Sequence, residues 1–140
     1  MFTLDQTLKN DTHDLGSFPL CKLLLADNKL YPWFILVPQR ENLTELHQLT
    51  VEDREQLWKE SALLSRWLEE VYAADKLNVA AIGNVVSQLH VHHIARYRLD
   101  PVWPKPIWGI VESVPYTEAE VESIQRRLSE LFSLFNDIAG

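Results

Sequence analysis

Residues 78–98 read NVAAIGNVVSQLHVHHIARYR, and the way this stretch alternates decides the fold. Around Gly83 the first half, residues 78–86, is apolar and β-branched, and from Gln88 onward the chain alternates with the period of two expected of a strand. The two halves are expected to lie side by side as antiparallel strands. On the second of them, Gln88, His90, His92, Ile94 and Arg96 share one face, while Leu89, Val91, His93 and Ala95 share the other and should pack on helices. Three of the chain's five histidines fall within four positions, yet alternation takes His93 away from its neighbours.

Upstream, residues 20–26 (LCKLLLA) and 33–37 (WFILV) are apolar runs of strand length, separated by Asp27-Asn28-Lys29 and Pro32, which suggests a hairpin. A polar loop, PQRENLTELHQL, leads to a helix. Thr50 with Asp53 three residues on resembles a capping box, and Leu57, Leu64, Trp67 or Leu68 and Val71 recur at helical spacing up to an end near Ala74. Downstream, DPVWPKPIWG (residues 100–109) is broken by prolines that lack a backbone donor, so it is no regular interior element. Thr117 and Glu120 form a second capping box, and Val121, Ile124, Leu128, Leu131 and Phe135 mark a long amphipathic helix. Strands, helix, strands, helix, joined by hairpin-like connections, predict an α+β domain: an antiparallel sheet of about five strands with a mid-chain helix and a long C-terminal helix.

At 140 residues the chain suits one domain, 1–140, able to bury roughly 70% of its unfolded surface. The single cysteine, Cys21, sits in an apolar run and cannot form an internal disulfide, which fits a reducing cytoplasm. The amino terminus lacks a basic stretch followed by a long apolar one, and no segment reaches the roughly 20 apolar residues that span a bilayer, so no membrane association is expected. A net charge of −7 opposes attraction to a polyphosphate backbone, so nucleic acid is not an expected partner.

The histidine run admits three chemistries. His90 and His92, two apart on a strand, can converge on a metal ion, but no Cys or His pair elsewhere has supporting spacing, and no metal site is expected. The rings can be structural, hydrogen-bonded in a core or turn. Or one neutral imidazole attacks an electrophile while a second steadies the leaving group.

The segment GNVVSQLHVHHIAR, Gly83 to Arg96, resembles the signature of the histidine triad family, His-x-His-x-His followed by apolar residues and often Arg. The likeness runs over roughly 100 residues and points to a branch of bacterial type with Gln in place of the first triad histidine. It implies a HIT-like fold and, in the favoured register, triad positions at Gln88, His90 and His92; the other register, His90, His92 and Ile94, puts a hydrocarbon beside the phosphate. By resemblance His90 is the nucleophile at the α-phosphorus of a nucleotide and carries a transient nucleotidyl group, and His92 contacts the phosphate or donates to the departing oxygen. Asn84 is expected to help hold the non-bridging oxygens, Arg96 to neutralise a polyphosphate tail, and Asp27 or Asn28, with Asp27 preferred, to contact the ribose.

Two departures stand out. Gln88 replaces the first triad histidine and Trp33, in YPWFILVP, replaces a histidine that family structures place beside it. An indole N–H can donate to a glutamine carbonyl, so a Trp33–Gln88 hydrogen bond is the expected substitute for that imidazole pair. The resemblance implies a small-molecule nucleotide partner, a homodimer and no protein cofactor, with Mg²⁺ only accompanying a polyphosphate substrate. The expected activity is a nucleotide hydrolase or transferase, diadenosine polyphosphate hydrolase-like or acting on a nucleoside phosphoramidate. The alternative is a nucleotide-binding regulatory protein with little turnover. The tryptophans of DPVWPKPIWG, Trp103 and Trp108, suit either a lid over a base or a dimer contact.

Overall fold

The computed structural model describes the backbone of residues 1–139 and the side chains of residues 1–134. Five strands, β1 (Thr12–Ser17), β2 (Cys21–Ala26), β3 (Trp33–Pro38), β4 (Lys76–Ala80) and β5 (Val91–Arg96), form one sheet in the order β1-β2-β3-β5-β4. Every neighbouring pair is antiparallel. Among the described residues three α-helices accompany them, α1 (Gln6–Asp11), α2 (Val51–Tyr72) and α3 (Glu118–Ala139), with a short 3-10 turn at Leu46–Gln48. The architecture is α+β, as the order of periodicities implies. Among the described residues no helix is long and apolar enough to cross a membrane.

Alternation along the strands divides the core. Cys21, Leu23 and Leu25 of β2, Phe34 and Leu36 of β3 and Val91 of β5 are buried with Leu57, Leu64, Trp67 and Leu68 of α2 and Ile124, Leu128 and Leu131 of α3. This is the helix face of the sheet, where the Trp67 ring meets Phe34 edge-on at 5.5 Å between centroids. The caps read from sequence hold: Thr50 accepts from Asp53 N, and Thr117 and Glu120 exchange two bonds. Val71, expected on the buried stripe of α2, is instead exposed, and the side chain of Phe135 lies outside the described residues.

On the opposite face, Leu24, Ala26, Ile35 and Val37 are covered by Leu8 of α1 with Phe2 and Leu4 of the segment before it. Farther along, Ile94 is sealed by Tyr31 and by Ile107 of the proline-rich loop, with Trp108 and Val102 packed alongside. DPVWPKPIWG therefore lies over the sheet rather than at its margin.

One sequence expectation needs correction, and one region gave no signal. The strands expected over 78–86 and 88–98 are shorter, and residues 81–90 are irregular, because Gly83 turns the chain at φ +68° and breaks the ladder. The amino-terminal α1 and β1 had no periodic signal. In β1 the register slips between Asp14 and Gly16, and Gly16 has φ +125° with the Phe132 ring only 3.2 Å from where a Cβ would stand.

His93 shows what the helix face demands of a polar group. Its Nδ1 lies 3.0 Å from Val91 O and must donate, so Nε2 accepts from Ser61 Oγ of α2 at 2.7 Å. The ring is fully buried, and burial pushes its pKa down to about 4 although the Val91 bond opposes the shift. The folded chain thus refuses a proton that the unfolded chain takes up near pH 6.5, so the stability this ring permits is complete above that pH and falls as acid is added. Urea midpoints measured from pH 7 to 4 should decline, and His93→Gln should flatten the slope by about one proton, roughly 1.4 kcal/mol per pH unit.

Candidate active site

His90 stands one residue before β5 and His92 within it, and their rings meet edge-to-face with centroids 4.9 Å apart. Both are nearly buried, at 6% and 8% exposure. Irregular backbone before the strand brings His90 onto the face that alternation assigned to it.

The partners of each Nδ1 settle the tautomers. His90 Nδ1 lies 2.7 Å from Gln88 O, and a carbonyl can only accept, so Nδ1 carries the proton and Nε2 of the neutral ring keeps its lone pair. His92 is set the other way. The Trp33 indole N–H, which can only donate, points at His92 Nδ1 at 2.9 Å, so the proton of the neutral ring resides on Nε2. Burial, with the neighbouring His90 and His93 rings adding to it, pushes the His92 pKa down to about 4, and the ring is neutral across the physiological range. The two imidazoles therefore offer a nucleophile and a hydrogen-bond donor side by side.

Trp33 bonds His92, which corrects the expected Trp33–Gln88 pair. Gln88 turns its side chain away: Nε2 donates to Thr3 O at 2.9 Å and Oε1 accepts from Asp5 N at 2.8 Å. What Gln88 gives His90 comes from its backbone carbonyl. The physical reason is position, since residue 88 precedes the strand and is not bound to the alternation of β5.

Arg96 is also corrected. Expected at a polyphosphate tail, it is 1% exposed; Nε and Nη2 grip both oxygens of Asp100 at 2.9 and 3.1 Å, and Nη1 donates to Asn78. The rings of Tyr31 and Trp103 flank it at 5.6 and 5.5 Å. Burial opposes ionisation of Asp100, but Arg96 and the N–H groups of Tyr97 and Val102 hold its carboxyl below the usual carboxylate range. This buried pair pins the start of the proline-rich loop.

Asp27, expected at the ribose, holds His13 and the chain before α3. Asp27 Oδ1 accepts from His13 Nε2 at 2.8 Å and Tyr116 N at 2.9 Å, and His13 pairs in register with Leu25, a residue of the helix face. Desolvation opposes it, yet these two bonds lower the Asp27 pKa. Asn28 is buried and binds Glu112 O, Leu30 N and Val114 N. Both residues anchor the chain ahead of α3. Asn84 is exposed on the loop after Gly83, and it does not line the narrow cleft beside His90 formed with Thr44, Glu45, Gly83 and Ser87.

Residues that sequence reasoning left open or missed complete the surroundings. Trp108 stands edge-on to His92 at 5.4 Å and to Trp33 at 6.3 Å, whereas Trp103 packs on Arg96. Thr44 and Glu45 carry no sequence signal, because only the fold brings the polar loop against residues 81–90. Among the described residues no group of three or more His, Cys, Asp or Glu side chains is gathered to hold a metal ion.

Replacing Trp33 with phenylalanine tests the tautomer argument. The indole donor favours the form of His92 with Nδ1 unprotonated, so Trp33→Phe should move its titration upward from about 4, as read by NMR of the ring resonances. An unchanged titration would show that burial alone sets it.

The HIT domain family matches residues 7–99. A histidine triad protein from Marinobacter aquaeolei VT8 is 44% identical over 96% of this chain and 98% of its own, with a TM-score of 0.93. A histidine triad protein from Sinorhizobium meliloti 1021 is 41% identical over 93% and 96%, with a TM-score of 0.90. A bis(5'-adenosyl)-triphosphatase from Saccharomyces cerevisiae is 33% identical over 73 residues, which is 49% of this chain and 35% of the relative. The match thus spans about a third of that relative's length. With the family's domain matching most of its length and two near-full-length relatives sharing its fold, the chain belongs to the histidine triad family.

Proposed function

We propose that this chain hydrolyses or transfers a nucleotidyl group at the α-phosphate of a nucleoside phosphoramidate or dinucleoside polyphosphate. The observation that carries the reading is the His90 Nδ1 bond to Gln88 O, which leaves Nε2 as the lone-pair atom beside a neutral donor. Nε2 of His90 attacks the α-phosphorus, the bond to the leaving oxygen or nitrogen breaks with its electron pair, and the Nε2–H of His92 steadies that atom by a hydrogen bond while solvent supplies the proton it needs. Water then adds to the phosphorus, its proton passes to solvent, and His90 departs with the electron pair it brought. Asn84, exposed on the loop that leads into His90, is assigned to the non-bridging oxygens. Mg²⁺ enters only with a polyphosphate substrate, and the reaction belongs in the cytoplasm. The partial likeness to a diadenosine triphosphatase supports the hydrolase class.

Incubation with adenosine 5'-phosphoramidate and diadenosine tetraphosphate tests this directly. His90→Ala should lower turnover at least about a thousandfold, and a quenched reaction of the parent should show an adenylyl group on His90 by mass spectrometry. Binding without turnover in the parent would favour a regulatory nucleotide-binding protein, and labelling of His92 would overturn the assigned roles.

We also assign a homodimer formed through β4. It is an edge strand, paired on one side only by β5, and Val79 on it is half exposed. Sedimentation at micromolar concentration should give twice the chain mass, and Val79→Lys should shift the equilibrium to monomer.

A further inference from the structure

Gln88 holds two things at once. Its backbone carbonyl fixes the tautomer of His90, while its side-chain amide binds Thr3 O and Asp5 N, groups 85 and 83 positions away in the chain. Asp5 in turn caps α1, accepting from Thr7 N and Leu8 N. Leu4, between the two bonded residues, packs with Phe2 and Leu8 on Leu24, Ala26, Ile35 and Val37, beside Trp33 and Val86. Ile35 lies opposite His92 in register, and Trp33 is the residue that bonds His92. The amino-terminal arm thus borders the face that carries both imidazoles, and one glutamine ties it to the nucleophile.

A side-chain amide suits this task. It donates and accepts at once, matching the C=O of Thr3 and the N–H of Asp5 as a neighbouring strand would, whereas an imidazole cannot reproduce both bonds from one edge. Phe2 and Leu4 are apolar side chains that can border a planar base.

We propose that Gln88 is a positioning residue that latches arm residues 2–5 as a wall of the nucleotide pocket, so that it governs nucleotide binding rather than the chemical step. This rests on the nucleotide-hydrolase reading above. The first triad position has then changed work, from the ring cluster to the arm.

Two measurements test it together. Hydrogen exchange of the Asp5 amide reports the latch, and in Gln88→Ala it should accelerate by at least about tenfold while β3 and α2 stay protected. Hydrolysis of adenosine 5'-phosphoramidate reports the pocket: Gln88→Ala should raise KM about tenfold with kcat changed less than about threefold. Leu4→Ala should raise KM similarly, and adding Gln88→Ala to it should change little further, because both act through the arm. Gln88→Glu, which keeps the acceptor for Asp5 N and loses the donor to Thr3 O, should fall between parent and Gln88→Ala. Gln88→His should behave like Gln88→Ala. A fall in kcat at constant KM, additive effects in the double variant, unchanged Asp5 exchange, or a gain in kcat from Gln88→His would each overturn the proposal. A parent that binds no nucleotide would overturn the functional reading and the pocket half with it, and the Asp5 exchange would then decide the latch alone.

Discussion

A carbonyl oxygen has no proton to give, and that constraint organises the site. Because Gln88 O faces His90 Nδ1, the ring must donate there and present its lone pair at the other nitrogen. The neighbouring ring is set in the opposite sense by a group that can only donate, the Trp33 indole. Two chemically identical side chains thereby acquire different capacities from single backbone and side-chain contacts. The supports are themselves fixed: Trp33 by its place on β3, where it pairs in register with Ile94, and His92 by its place on β5.

The buried charge of the molecule serves shape. Arg96 and Asp100 form a two-point pair with almost no exposure, and such a pair tolerates burial only when its remaining protons and lone pairs are met. Here Asn78, Tyr31 and the N–H groups of Tyr97 and Val102 meet them. The pair anchors one end of the proline-rich loop, and Ile107, packed on Ile94, anchors the other. Trp108, next in the chain after Ile107, is thereby placed beside His92. A buried ion pair therefore shapes the surroundings of an imidazole it does not touch.

Much of this was legible in the sequence, for identifiable reasons. Period-two alternation correctly parted His93 from His92, and the capping pairs at Thr50 and Thr117 correctly opened α2 and α3, since both signals are local. What failed was non-local. Nothing near Gln88 announces that its amide binds residues at the other end of the chain, and nothing near Asp27 announces Tyr116. Arg96 misled because an arginine after the histidine run looks like a phosphate ligand until Asp100, one turn of loop away, is seen to close on it. Trp33 was expected to bond Gln88, but its partner depended on where the strand begins, and it bonds His92.

The opposed settings of the two rings bear on what else can occupy the site. A transition-metal ion binds imidazole through a lone pair, and the pair as arranged presents one such electron pair rather than two. To chelate across both rings, an ion must move the His92 proton to the nitrogen that faces Trp33, where the indole hydrogen already points. Chelation of a divalent cation by both rings thus costs a buried hydrogen bond. Trp33, beyond orienting a donor, sets one of the two rings against chelation.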